Sequence, residues 1–206
     1  MSNRYFSPMS TDPHLPRNVL VTGGNRGIGL AIARRFQATG DNVIITHRSG
    51  SAPEGLEGVI MDVTDGESVT SAYKEIEAKF GTVDVLVANA GITKDGLSLR
   101  MNESDFVAVL DTNLTGAFRV TQKALSGMMK KKSGRVVFIG SVVGLLGSAG
   151  QVNYAATKSA LVGMARSFAP EYGSRGITFN VIAPGFIDTD MTANLDQALK
   201  DKYVAQ

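Results

Sequence analysis

Cysteine is absent from the 206-residue chain, as is tryptophan, and there are only two histidines. No disulfide framework and no thiolate chemistry can therefore be built, and the composition is compatible with the cytosol. The two histidines are His14, in a proline-bearing N-terminal stretch, and His47, which stands alone; neither belongs to a ligand cluster, which argues against a zinc site. An excess of charge of one sign is missing too: the net value is +2, too small to argue for nucleic-acid binding. No apolar run reaches membrane-spanning length. Residues Met1 to Arg17 carry prolines at 8, 13 and 16 and no apolar signal core, so they are expected to form a mobile tail and not a signal peptide. What remains, 43% hydrophobic and 19% charged, suits one soluble domain with a substantial core.

Tyr154 and Lys158 are spaced to share one face of a helix opened by Asn153. An ammonium beside a phenol favours the ionised phenol and is expected to lower its pKa from about 10, making the tyrosine usable in proton transfer. Upstream, Arg135 to Gly140 is an apolar run read as a buried strand that ends at the hydroxyl of Ser141. A strand-end serine facing a Tyr/Lys pair could grip one carbonyl oxygen from two sides.

Nearer the N-terminus, the short apolar run Asn18 to Thr22 breaks into Gly23-Gly24-Asn25-Arg26-Gly27-Ile28-Gly29, and a helical pattern follows to Gly40. Strand, glycine turn and helix together form the context of a dinucleotide site, where backbone N–H groups approach a pyrophosphate. Asn42 to His47 reads as the second strand. An acidic residue at its end would select NAD by binding the ribose 2′-hydroxyl. Here Thr46-His47-Arg48-Ser49 has none, and Arg48 with Arg26 would offer guanidinium groups to a 2′-phosphate, which favours NADP.

The third strand, Gly58 to Met61, leads to Asp62 and Val63; Asp62 could accept from an adenine amino group or cap the next helix. Thr64 to Phe80 has helical spacing, and Val83 to Ala88 reads as a fourth strand ending in Asn89-Ala90-Gly91, small residues that leave room for a flat ring. Glu103 to Met129 reads as mostly helical. Asn113 lies inside it, and on its own reads as an exposed or locally bonded asparagine. Lys130 to Lys132 and Arg135 form a basic corner, either solvated or suited to an acidic partner. Small residues through Gly150 are expected to form a loop over the site. A helix from Asn153 to Tyr172 should end or bend at Pro170. Ile177 to Ile182 is a sixth strand, followed by the turn Ala183-Pro184-Gly185-Phe186-Ile187-Asp188-Thr189, which could wrap a carboxamide; Thr192 to Gln206 is weakly helical.

Strands alternating with helices imply a single α/β domain, a doubly wound parallel sheet of the Rossmann type in three α/β/α layers. The candidate residues fall just after strands, at the carboxyl edge where such sheets bind ligands.

Thr22-Gly23-xxx-Gly27-x-Gly29, Asn89-Ala90-Gly91, Asn113, Ser141, Tyr154-xxx-Lys158 and Pro184-Gly185, in that order from about Val19 to Met191, resemble the short-chain dehydrogenase/reductase family. Gly127 to Lys131, Ile139 to Gly144 and Asn153 to Ala156 are similar to its 3-oxoacyl-[acyl-carrier-protein] reductases, and Val19 to Arg26 after the tail to mycobacterial members. The resemblance implies Tyr154 as general acid, Ser141 as a hydrogen-bond donor to the substrate oxygen, and Lys158 as the group that tunes the tyrosine and binds the nicotinamide ribose. It implies that Asn113 holds a water linking Lys158 to solvent. It implies NADP(H) contacts at Gly23, Asn25, Arg26, Gly27, Ile28, Gly29, Arg48, Asp62, Val63, Asn89, Ala90, Gly91, Tyr154, Lys158, Pro184, Gly185, Ile187 and Thr189. Docking of an acyl carrier protein is implied at Lys132 and Arg175, with a CoA thioester as the other carrier form. A cytoplasmic homotetramer acting in fatty-acid biosynthesis is the family's implied setting. Such reductases continue about forty residues further, with a seventh strand, so residues 18–206 are expected to be a truncated domain with Ile177 to Ile182 as an exposed apolar edge. Two other expectations stay open: a reductase of a different ketone, and a non-catalytic nucleotide-binding fragment.

Overall fold

The computed structural model describes residues 16–189. Most of the expected N-terminal tail, and the weakly helical stretch from Thr192, lie outside them. Within them, six strands form one parallel sheet in the order β3-β2-β1-β4-β5-β6: β1 (Asn18–Val21), β2 (Asn42–His47), β3 (Glu57–Ile60), β4 (Val85–Ala88), β5 (Gly134–Ile139) and β6 (Ile177–Ile182). The order reverses direction between β1 and β4, because the chain returns past β1 after building β2 and β3. That reversal opens a crevice at the carboxyl ends of β1 and β4.

Alternation along the strands sorts the core into two layers, since successive side chains leave a strand on opposite faces. Leu20, Ile44, Leu86, Val136, Phe138, Ile177 and Phe179 face one layer. Val19, Val21, Val43, Ile45, Val85, Val87 and Ile139 face the other. Helix α1 (Gly27–Ala38) packs on the second face through Ala33, Ile32 and Phe36. Helices α2 (Gly66–Phe80), α4 (Gly116–Lys131) and α6 (Val152–Tyr172) cover the first. The three α/β/α layers expected from the sequence are present, with three long helices on one side and α1 on the other among the described residues.

Several local expectations change. The stretch read as mostly helical over Glu103 to Met129 is α3 (Glu103–Leu110), a π-helical turn over Asp111–Thr115, and α4. The short helix α5 (Val143–Leu146) replaces part of the expected loop after Ser141. Pro170 does not stop α6, which runs on to Tyr172; it stands in the last turn, so that few residues follow the hydrogen bond its ring removes. Nor does Asp62 cap α2: Asp65 does, its carboxylate accepting from Glu67 N at 2.9 Å. Along β6, Ile177 and Phe179 are buried while Thr178, Asn180 and Ile182 are exposed. The apolar edge is thus narrower than expected: α6 and its aromatic neighbours cover Phe179, whose ring stacks on Phe168 with centroids 5.0 Å apart.

Candidate active site

Backbone conformation makes the glycine turn. Gly23 has φ +62° and Gly27 φ +53°, a region that disfavours side chains. A Cβ on Gly29 would stand 2.5 Å from both Asn89 Nδ2 and Gly23 O, so α1 can reach the turn only with glycine there. Thr22 locks this turn to the next strand. Its hydroxyl oxygen accepts from Asn89 N and Ala90 N, each at 3.0 Å, and Asn89 Nδ2 donates to Thr22 O at 2.9 Å and Gly23 O at 3.1 Å. The N-terminus of α1 therefore opens into the cleft, with Arg26 in extended conformation and, among the described residues, no cap bond from its side chain. Uncapped N–H groups and the helix dipole favour an anion at this point.

The cleft encloses about 600 Å³ along the carboxyl edge. The sheet order puts Arg26, Arg48 and Asp62, which follow β1, β2 and β3, at one end, and Ser141, which follows β5, with Tyr154 and Lys158 at the other. All the residues expected to contact the cofactor line it: Gly23, Asn25, Ile28, Val63, Gly91, Pro184, Gly185, Ile187 and Thr189 are there with the others. Arg26 and Arg48 are exposed and form no salt bridge among the described residues. Asp62 is braced, its Oδ1 accepting from Thr64 N at 2.9 Å and Thr64 Oγ1 at 2.7 Å. The Thr64 hydroxyl is the main cause holding its carboxyl below the usual carboxylate range, with Arg48 contributing. His47, buried under the same end, has an Nδ1 without a partner among the described residues.

At the opposite end, Lys158 is only 6% exposed, and its ammonium donates to Ile139 O at 2.7 Å. Burial lowers its pKa from 10.5 to about 8. Its Nζ lies 5.4 Å from the Tyr154 ring centroid. The expectation that this neighbour would lower the phenol pKa is reversed here. Burial pushes Tyr154 above 10.0; a hydrogen bond with Ser141 opposes that, and the charge of Asp95 adds to it. Desolvation of the phenolate outweighs the favourable groups, so the phenol is held protonated at neutral pH. Ser141 is fixed by α5, accepting from Val143 N at 3.1 Å through Oγ.

Asn113 corrects its reading from the residues alone. It is 2% exposed, not on the surface, and its partners are remote in sequence. Oδ1 accepts from Ile92 N at 2.8 Å, while Nδ2 donates to Ile92 O at 3.0 Å and to Thr157 Oγ1 at 3.4 Å. The π turn aims this amide between the loop after β4 and the helix bearing Tyr154, as π turns at functional sites often do.

Lys132 and Arg175 are neighbours, since a Cβ on Gly176 would meet Lys132 O at 2.5 Å. They precede β5 and β6, however, and so lie at the amino edge, while Ser141 lies at the carboxyl edge. Six residues of strand, at about 3.3 Å each, place about 20 Å between the two. Residues the sequence did not single out include Thr157, the Ile139 carbonyl, Asp95 and Gln151; Thr22 was visible only as part of its motif.

A parallel sheet with a glycine-turn anion site at its switch point, and a Ser/Tyr pair beside a buried lysine at the far end of one cleft, defines a nicotinamide-dependent oxidoreductase. Residues 17–200 match the short chain dehydrogenase family, and the chain belongs to it. It is 55% identical over 184 residues to the 3-oxoacyl-[acyl-carrier-protein] reductase MabA of Mycobacterium avium, covering 89% of this chain and 72% of that protein. Against the MabA reductase of Mycobacterium tuberculosis H37Rv the identity is 53% over 188 residues, 91% of this chain and 76% of the relative. The corresponding FabG reductase of Escherichia coli K12 is 46% identical over 195 residues, 91% and 80% of the two chains.

Proposed function

We propose that the chain reduces 3-oxoacyl thioesters, carried on acyl carrier protein or CoA, to (3R)-3-hydroxyacyl thioesters with NADPH, as a step of fatty-acid biosynthesis in the cytoplasm. The observation that carries this reading is the meeting of Ser141, protonated Tyr154 and buried Lys158 at one end of a cleft whose other end offers Arg26 and Arg48. The residues fit a dinucleotide: the uncapped α1 N-terminus suits the pyrophosphate, the two arginines a 2′-phosphate, and Asn89 to Gly91 with Pro184 to Thr189 flank the remainder. When bound, NADPH supplies hydride to the substrate's carbonyl carbon. Ser141 donates a hydrogen bond to the carbonyl oxygen, and Tyr154 transfers its phenolic proton to that oxygen as charge develops. Lys158, a cation held against β5, stabilises the tyrosinate left behind. Asn113 holds the loop after β4 against α6, so that the proton donor keeps its place.

Names of the relatives, which share about half of the aligned residues with this chain, support the thioester substrate. Lys132 and Arg175 form the docking patch for the acidic carrier. Initial rates with acetoacetyl-CoA under NADPH and NADH test the proposal. NADPH-driven turnover well above the NADH rate is expected; reduction of simple ketones but not of the thioester would overturn the substrate assignment.

A further inference from the structure

The loop after β4 is fastened to the start of α6 by three hydrogen bonds beside Tyr154. Gly96 N donates to Gly150 O at 2.8 Å, Asn153 Nδ2 to Lys94 O at 2.8 Å, and Gln151 Nε2 to Asp95 Oδ2 at 2.9 Å. Asp95 and Gln151 line the same cleft as Ser141 and Tyr154. Of the acidic side chains that line the cleft among the described residues, Asp62 belongs to the arginine end and Asp95 to the Tyr154 end. Neighbouring Lys94 does not neutralise Asp95: its ammonium is paired with Asp105 at 2.6 Å. Gln151 orients the carboxylate without cancelling its charge, being a neutral donor. The field of Asp95 reaches the reacting group, since after burial it is one of the causes that raise Tyr154.

We infer that Asp95, oriented by Gln151, is a specificity-determining residue that disfavours anionic 3-oxo acids and so directs the site to neutral 3-oxoacyl derivatives. This rests on the reductase reading given above. With the ketone oxygen between Ser141 and Tyr154, the carboxyl carbon of a 3-oxo acid is only a methylene away from the ketone carbon. A carboxylate there meets a like charge held at the solvent-facing rim of the cleft by Gln151, whereas a thioester or ester carries none.

The test compares kcat/KM for acetoacetate and for ethyl acetoacetate under NADPH, in the wild type and in Asp95→Asn. Asparagine keeps the shape and can still accept from Gln151, so the wall is retained while the charge goes. The acetoacetate-to-ester ratio is expected to rise about three- to tenfold in Asp95→Asn, the range for a solvent-screened like-charge contact. In the wild type the same ratio is expected to rise with added salt, and in Asp95→Asn to respond less. An unchanged ratio in Asp95→Asn, or a wild-type ratio insensitive to salt, overturns the charge filter while leaving the reductase reading standing. A wild type that turns over neither these two compounds nor acetoacetyl-CoA overturns both; one that turns over acetoacetyl-CoA alone rejects the neutral ester as well as the acid, and overturns the charge filter only.

Discussion

Lys158 Nζ donates to the carbonyl oxygen of Ile139 at 2.7 Å, tying the helix that bears the proton donor to the last residue of β5. A buried cation held by a neutral carbonyl is costly, which is why its pKa falls to about 8. Between about 8 and the unfolded value of 10.5, the unfolded chain retains a proton that the folded chain has released. Stability from this residue therefore rises with pH across that window, and is lost as pH falls through 8. Lys158→Met removes the titration. The stability difference between wild type and Lys158→Met, read from urea unfolding at pH 7.5 and 10, should shift toward the wild type by up to about 3 kcal/mol. A difference that does not change with pH would contradict the burial account.

Asn113→Ala should destabilise the fold and slow turnover together. It leaves the Ile92 N–H and carbonyl without their partner, at a cost of about 2 kcal/mol. The urea midpoint should fall, and kcat should drop by more than cofactor affinity does, because the loop and the Tyr154 helix lose their common brace. Unchanged stability would mean that water replaces the amide.

Arg48→Ala should weaken NADPH binding about tenfold, the loss of one charge-assisted contact to phosphate. NADH binding should change less than about twofold, since its ribose hydroxyl needs no guanidinium. Titration of the two cofactors by fluorescence separates the cases. Equal losses for both would remove the basis for NADP selection by Arg48.

Most of the sheet was legible in the sequence because its strands are short apolar runs that end at glycine or polar residues. Both β2 and β6 were read with their observed limits. Motif residues were legible as well, since the glycine turn depends on backbone sterics that any sequence must satisfy locally. Asn113 was opaque to the residues alone: its partners Ile92 and Thr157 are 21 and 44 positions away, and the π turn that aims it has no periodicity of its own. The four residues of α5 are too few to show a helical pattern. Spacing suggested a lowered Tyr154 pKa, but could not show that burial of the phenol outweighs its neighbours. The separation of Lys132 and Arg175 from the cleft follows from their place before strands, a signal present in the sequence and passed over.

Tyr154→Phe tests the central claim most directly. NADPH consumption with a 3-oxoacyl thioester is measured for wild type and variant, alongside NADPH binding to each. Removal of the hydroxyl takes away the proton donor but keeps the ring and its packing, so turnover should fall by about 10²- to 10⁴-fold with NADPH affinity changed by less than about threefold. Turnover retained within tenfold would show that Tyr154 is not the acid, and that the Ser141, Tyr154 and Lys158 cluster is not where the reaction occurs.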